Sequence, residues 1–407
     1  MEIAWHQQFI GQWFSADRRR RMLQLLEARV GSRVEFPVFE SPVFLSQTMR
    51  QQLAQFAVEI AQEAVQPANR ERADQGLSSV YRVPGATRYP LFLVIDFAIA
   101  QDNGTPALKL VELQGFPSLY GYQYEVAYAY IEGYGMSSDS LDVFYIDITD
   151  EMYWDMLRKA IVRDHDPKEV ALVELHPWEQ KTLPDFTALR KHLGIAIVDI
   201  VDVIERSGKL YYRDSEGKLV RIRRIMNRAI VDEMESVGVG VPSWWTKEVD
   251  VEWAGHPNWY FWMSKSLLPF LRHPAVPRTV FLSDLEEIPE DLSRYVLKPL
   301  YAFAGKGVKV NVTPEDIRAI PQQQRSHYVM QEKITYLPWV PTPYGHNKTE
   351  IRVLLLWEEH WKTPKPLIPL VRTGRAPMLG TGYLRGPWEG ASTALFPRVS
   401  LSVAEDQ

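Results

Sequence analysis

The sequence predicts a mixed α/β (α+β) fold, and three sets of segments carry this prediction. One is a pair of apolar runs around a turn, one is a strand–helix–strand stretch, and one is a late pair of apolar runs. The segments are 91–99 and 108–113 around the turn 101–106, then 169–203, then 350–360 and 366–374. The alternation over 169–203, with a helix that ends at Gly194, indicates a small α/β unit with parallel strands.

Further elements follow from local patterns. Ser46 opens a helix to about residue 65, because apolar side chains recur there at helical spacing. The remaining predicted elements are a hairpin over 209–220, a helix from Ser264 to Arg272, a strand at 278–282, a strand–loop–strand over 293–312, a helix from Thr313 and a strand over 326–334. The region from about 376 is expected to be rich in loops.

Composition excludes several classes of protein. The chain has 407 residues, of which 46% are hydrophobic, so it can build two or three domains. A net charge of −5 gives no support for a nucleic-acid partner. The sequence contains no apolar run of about 18 residues, so no membrane span is predicted. The absence of cysteine removes disulfides, thiolate metal sites and cysteine nucleophiles. A cytoplasmic location is the expectation.

The first candidate site is Lys298 with the glycine-containing segment 302–310. A lysine at the end of an apolar strand supplies a point charge, and Gly305 and Gly307 around Lys306 allow backbone N–H groups to approach phosphate oxygens. No GxxxxGK[ST] string is present, so this is not a P-loop. The alternative is a solvated hairpin that contains a lysine.

The second candidate site consists of Asp96, Glu112 and Gln114. Glu112 and Gln114 lie two residues apart on a predicted strand and therefore face the same side, while Asp96 lies within the apolar run of the partner strand. Three oxygen ligands directed into one site suit Mg²⁺. The alternative is a set of structural hydrogen bonds.

Two arginines on apolar strands form the third candidate. Arg352 and Arg372 each need a counter-ion, which a phosphate or a substrate carboxylate would supply. A buried acid such as Glu112 is the alternative partner.

Taken together, these motifs resemble the ATP-grasp superfamily. The residues that carry the resemblance are Lys265 in SKSLLPFL, Lys298 in VLKPLYAFAGKGV, the adenine hinge VMQEKI and the acidic-Ile-Arg strand EIRVLLLW. The Asp strand and the Glu-x-Asn-like strand come some 200 residues earlier, in IDFAIAQDNGTPALKLVELQ. This order is similar to circularly permuted members such as the synthetase half of glutathionylspermidine synthetase. Gln114 stands where that family has Asn.

The resemblance implies an ATP- and Mg-dependent ligase that joins a small carboxylic acid to an amine through an acyl phosphate. The implied nucleotide-binding residues are Lys265, Lys298, Gly305, Lys306, Gly307, Gln331, Glu332 and Ile334. The implied metal ligands are Asp96, Glu112 and Gln114, with Arg352 and Lys298 catalytic and Arg352, Arg372 and Arg385 holding substrate. A phosphotransferase on the same fold and a non-catalytic nucleotide-binding relative are the alternatives.

The resemblance also implies a division into domains. Residues 1–150 are expected to form the C-terminal half of a permuted ATP-grasp and to carry the metal site. Residues 151–255 are expected to form a Rossmann-like pre-grasp unit, 256–345 an ATP-binding lid, and 346–407 the return to the core.

Overall fold

The computed structural model describes residues 2–102, 104–300, 307–380 and 382–398, and every statement below concerns these residues. They form the mixed α and β structure that the sequence predicts. The α-helices are α1 (Glu2–Gln8), α2 (Ala16–Val30), α3 (Gln47–Ala64), α4 (Pro67–Gln75), α5 (Tyr120–Tyr134), α6 (Asp150–Ile161), α7 (Leu183–Leu193), α8 (Val231–Ser236), α9 (Asn258–Trp262) and α10 (Pro314–Arg318).

The strands fall into several sheets. They are β1 (Val43–Phe44), β2 (Phe92–Asp102), β3 (Thr105–Gln114), β4 (Leu141–Asp142), β5 (Val170–Glu174), β6 (Ala196–Asp199), β7 (Ile204–Arg206), β8 (Lys209–Arg213), β9 (Leu219–Ile222), β10 (Arg224–Asn227), β11 (Glu252–Ala254), β12 (Thr279–Phe281), β13 (Tyr295–Pro299), β14 (Tyr328–Glu332), β15 (Val340–Thr342), β16 (Gly345–Leu356), β17 (Lys365–Gly374), β18 (Gly390–Ser392) and β19 (Ala394–Pro397).

A central antiparallel sheet has the order β18-β17-β16-β2-β3, with β15 paired to β16. The predicted β2–β3 hairpin and the predicted β16–β17 pair are both confirmed. The pairing of β16 with β2 joins the two, and it sets Arg352 opposite Asp96 although 256 residues separate them. The candidate metal strand and a candidate arginine strand are therefore neighbours.

Both faces of this sheet are buried, and they are buried in different cores. Odd-numbered side chains of β2, such as Leu93 and Ile95, belong to one hydrophobic cluster, whereas Phe92 and Val94 belong to another. Because side chains alternate along a strand, Asp96 shares the face of Val94. Asp96 therefore places a carboxylate on a strand face whose preceding side chains, Phe92 and Val94, are apolar and buried.

The predicted parallel unit is confirmed as a sheet of order β11-β10-β5-β6. Helix α7 connects β5 to β6 and ends at Gly194, whose φ of 77° is the left-handed conformation that glycine favours. Strand β6 is shorter than the predicted 195–203. It ends at Asp199, whose carboxylate accepts a hydrogen bond from the Val201 N–H and starts a 3₁₀ turn.

A smaller antiparallel sheet has the order β12-β14-β13 and a core of its own, which includes Leu297, Ile317 and Met330. The second strand expected within 293–312 is wrong for the described part of that range, where Lys309 makes one isolated bridge to Leu297. The loop residues Gly305 and Lys306 lie outside the described residues.

One other expectation needs correction. The segment predicted as a helix from Ser264 to Arg272 is a 3₁₀ helix over Lys265–Phe270 that contains Pro269. Proline has no N–H to donate and disfavours the α-helical conformation in the residue before it.

The region after 376 is rich in loops, as expected, and its two short strands β18 and β19 add to two sheets. In the part of the chain that is described, no helix is both long and apolar enough to cross a membrane.

Gly115 allows the end of β3 to approach the segment that leads to Lys265. Its N–H donates to the Met263 carbonyl at 3.1 Å, and a Cβ on Gly115 would lie 2.5 Å from the Trp259 carbonyl oxygen. We expect Gly115→Ala to lower the free energy of unfolding by about 1–3 kcal/mol, because backbone would have to shift. Urea unfolding of Gly115→Ala and of Gly11→Ala, whose Cβ meets nothing within 4 Å, tests this expectation. Equal stability of the two variants would contradict it.

Candidate functional site

A cavity of about 530 Å³ lies between the β12-β14-β13 sheet and the central sheet. Its lining comes from β3, β13, β14, β16 and β17, together with Lys265 and residues between 375 and 383. A cavity of this volume accommodates a small-molecule ligand. The candidate residues are therefore drawn from segments that span most of the chain.

Positive charge is concentrated in this cavity. Among the described lining residues there are seven lysines and arginines but only three acidic residues. The cations are Lys265, Lys298, Lys333, Lys348, Arg352, Arg372 and Arg375, and the acids are Glu112, Glu332 and Glu350. The whole chain carries a net charge of −5, so the cavity is opposite in sign to the protein. Such an arrangement favours an anionic ligand.

Two lysines form one end of the site. Lys298 on β13 donates to the Gln331 side-chain oxygen at 2.7 Å and to the Val111 carbonyl at 3.2 Å. The pKa of Lys298 is lowered to about 8, chiefly by burial; the attraction of Glu112 raises it and the nearby Lys265 lowers it. Gln331 is held in turn by a hydrogen bond to Thr279. Lys298 is thus a fixed and buried cation.

The second lysine at this end is paired with a carboxylate. The Lys265 Nζ lies 2.8 Å from Glu112 Oε1. Burial raises the pKa of Glu112, but the combined effect of the Lys265 and Lys298 ammonium groups brings it below its ordinary value. Glu112 is therefore ionised at neutral pH, and it joins β3 to the 3₁₀ helix that begins at Lys265.

Arginines form the other end of the site, around Asp96. Arg352 donates to both oxygens of Asp96, through Nε at 2.6 Å and Nη2 at 2.8 Å. Arg372 adds a third bond from Nη2 at 2.5 Å. Burial would raise the pKa of Asp96, but the two guanidiniums outweigh it and the pKa is lowered.

The arginine end is fixed by further contacts. Arg372 also pairs with Glu350 at 3.1 Å, and the Tyr336 hydroxyl donates to that glutamate. Arg352 reaches the Ser118 hydroxyl through Nη1 at 3.1 Å. The Nε of Arg372 is buried and has no hydrogen-bond partner among the described residues. The described protein groups therefore leave this one donor unsatisfied.

Most of the predicted site residues line the cavity. These are Lys265, Lys298, Gln331, Glu332, Ile334, Glu112, Gln114, Arg352 and Arg372. Asp96 does not line it and is almost fully buried. Gly307 has a φ of 74° and also lies outside the lining, as does Arg385, which is exposed and donates to the Gly382 carbonyl.

Two of the three predicted metal ligands, Asp96 and Glu112, are paired with protein cations in this arrangement. Both oxygens of Asp96 accept hydrogen bonds from guanidinium groups, and one oxygen of Glu112 accepts the Lys265 ammonium. No group of three or more His, Cys, Asp or Glu side chains that could hold a metal occurs in the described ranges. The donor set around Asp96 is therefore already neutralised by protein cations.

Sequence reasoning did not assign Glu350, Tyr336, Lys348 or Arg375 to the site. A signal for Glu350 was present, because it lies two residues before Arg352 on one strand and so faces the same side. Tyr336 belongs to a segment without a readable pattern, and its contact with Glu350 depends on how that segment folds.

Comparisons with known proteins bear on the fold. No protein-family model matches the chain, and no curated protein matches its sequence. Among solved structures, the chain is similar to a glutathione synthetase-like effector from Globodera pallida, determined in its apo form. The TM-score is 0.55 at 12% identity, over 92% of this chain and 96% of that one. At this identity the likeness establishes a shared fold.

A second similar structure is a protein from Methylobacillus flagellatus, provisionally named gamma-glutamylcysteine synthetase. It is 11% identical over 85% of this chain and 86% of its own, with a TM-score of 0.37.

The lowered pKa of Lys298 predicts a pH-dependent stability. Between pH 8 and 10.5 the unfolded chain holds a proton on Lys298 that the folded chain has lost, so folding becomes more favourable as the pH rises. We expect the difference in free energy of unfolding between the wild type and Lys298→Met to change by roughly 1–3 kcal/mol from pH 8 to 10.5, in favour of the wild type. Urea unfolding of both proteins at several pH values measures the difference. A difference that is constant with pH would contradict the prediction.

Proposed function

We propose that the protein is an ATP-dependent ligase that joins a small carboxylic acid to an amine. The observation that carries the proposal is the cavity in which two buried lysines and two arginines meet. The negative phosphates of a nucleoside triphosphate, or of an acyl phosphate, would be attracted to the excess of positive charge in the cavity. The likeness of the fold to a glutathione synthetase-like effector is consistent with it.

In this proposal the chain is a circularly permuted ATP-grasp. Its support is the order of the strands, since β2 and β3 come early in the chain yet extend the sheet that begins with β17 and β16. The β12-β14-β13 sheet, with its own core, corresponds to the ATP-binding lid within 256–345. Residues 151–255 would be the pre-grasp unit.

The nucleotide would lie along the lysine end of the cavity. Gln331, Glu332 and Ile334 border the cavity on β14 and just after it, where they would contact the base. Lys298 and Lys265 would contact the phosphates. Their attraction is strong because both side chains are buried, which reduces solvent screening.

The proposed reaction has two steps. An oxygen of the substrate carboxylate attacks the γ-phosphorus, the bond from that phosphorus to the bridging oxygen breaks, and ADP leaves. The amine nitrogen then attacks the carbonyl carbon of the acyl phosphate, phosphate leaves, and the nitrogen loses a proton. Arg352 would stabilise the charge on the transferred group, and Arg372 would hold the substrate carboxylate. Such a reaction requires positioning and charge neutralisation and no protein nucleophile.

Magnesium is the expected companion of ATP in this chemistry. Glu112 and Gln114 line the cavity and remain candidate ligands. Asp96 does not fit that role while two arginines hold both of its oxygens. No step of the proposed reaction is therefore assigned to an Asp96-bound metal.

A second candidate function is nucleotide binding without ligation. The engagement of Asp96 by two arginines favours it, because it removes one carboxylate from the predicted metal site. Product analysis separates the candidates. A ligase forms ADP and free phosphate only when acid and amine are both present, a kinase forms a phosphorylated product, and a binding protein forms neither.

Lys298 is the sharpest test of the nucleotide site. We expect Lys298→Ala to weaken ATP binding by about tenfold or more, because it removes a buried charge-assisted contact. The matched control is Lys309→Ala, a lysine that is 55% exposed, pairs with Asp316 and does not line the cavity. Isothermal titration with ATP measures both. Wild-type affinity in Lys298→Ala, or an equal loss in both variants, would count against the proposed site.

A further inference from the structure

We propose that Asp96 is a positioning residue that holds Arg352 and Arg372 as a receptor for an oxyanion, and that it does not bind a metal. The oxyanion is a phosphoryl group or a carboxylate, which offer the same acceptor geometry to a guanidinium. The use of the receptor in a reaction rests on the proposed function. The receptor itself follows from the contacts below.

Both carboxylate oxygens of Asp96 already accept hydrogen bonds, so neither is free to bind a metal ion. Arg352 binds it with two parallel N–H groups, one to each oxygen, and Arg372 binds the second oxygen again. All three bonds are charge-assisted and lie between 2.5 and 2.8 Å. For a metal to bind Asp96, at least one of them must break.

Electrostatics also disfavours a metal at this position. A divalent cation on Asp96 would lie beside two guanidiniums, both held within 3 Å of the same carboxylate. Like charges at such separations repel strongly in a buried site. The single charge of Asp96 is already shared by two cations, so a third cation gains little there.

The arrangement leaves the arginines available to an anion. Arg352 and Arg372 line the cavity, whereas Asp96 lies behind them and does not. The carboxylate thus fixes two guanidiniums, and the guanidiniums face the ligand.

A thermodynamic signature separates a positioning residue from a metal ligand. If Asp96 acts through the arginines, Asp96→Asn loosens the receptor whether or not a metal is present. If Asp96 binds the metal, the substitution acts only when the metal is there. The ratio of the Kd values in EDTA and in Mg²⁺ therefore reports which role applies.

The experiment titrates inorganic pyrophosphate and ATP, each in EDTA and in Mg²⁺, into the wild type and Asp96→Asn. The control is Asp102→Asn, the same substitution on the same strand, at a side chain that is 46% exposed and pairs with Lys109. We expect Asp96→Asn to weaken pyrophosphate binding by about tenfold or more in both conditions, with the ratio of Kd values unchanged, since two charge-assisted contacts lose their anchor. The control should bind like the wild type.

Three results overturn the inference. A loss of affinity that appears only with Mg²⁺ would make Asp96 a metal ligand, and unchanged affinity in both conditions would make it a structural counter-ion alone. The pyrophosphate arm separates this inference from the proposed function. Binding of pyrophosphate without any binding of ATP would remove the ligase proposal and leave the receptor standing, while a wild type that binds neither would overturn both.

A second measurement needs no variant, which matters if Asp96→Asn does not fold. Wild-type crystals soaked with Mn²⁺ and pyrophosphate are examined for anomalous density. The inference expects an oxyanion against Arg352 and Arg372 and no manganese peak on Asp96. A manganese ion coordinated by an Asp96 oxygen would overturn it.

Discussion

The ion pair between Asp96 and Arg352 is the interaction on which the site depends. It joins directly opposed residues of β2 and β16, strands that the chain brings together across 256 residues. Loss of Asp96 would leave Arg352 without its carboxylate partner, and breaking a buried ion pair in this way costs about 3–5 kcal/mol in proteins. A one-residue slip of β16 would turn Arg352 to the other face of the sheet. The register of β16 against β2 therefore determines whether Arg352 contributes its positive charge to the cavity.

The cavity has two chemically different ends, and they belong to different sheets. The lysine end rests on β13 and β14, where Gln331 orients Lys298. The arginine end rests on β16 and β17, where Asp96 and Glu350 orient the guanidiniums. A lysine presents a compact point charge and an arginine presents a planar set of donors, so each end suits a different part of an anionic ligand. Residues of both sheets line the same cavity, so one ligand can contact both ends.

The sequence was informative where structure depends on neighbouring residues. The β2–β3 hairpin and the β5–α7–β6 unit follow from local periodicity and turn residues, and both are present. Lys265 and Lys298 could be named because each lies in a short motif, and both line the cavity. The partners of Asp96 could not be assigned, because strand pairing at long range leaves no local trace. Pro269 was the neglected signal behind the 3₁₀ helix at Lys265.

The separate core of the β12-β14-β13 sheet has a consequence for how the protein opens. Leu297, Met330 and Ile317 pack among themselves and their near neighbours, and they belong to neither of the two large clusters. Units with independent cores can unfold or swing separately, at a smaller free energy than the whole molecule. Amide hydrogens of β13 and β14 can therefore exchange with solvent while those of β2 and β16 stay protected. Access to Lys298 would then be governed by a local equilibrium and not by global stability.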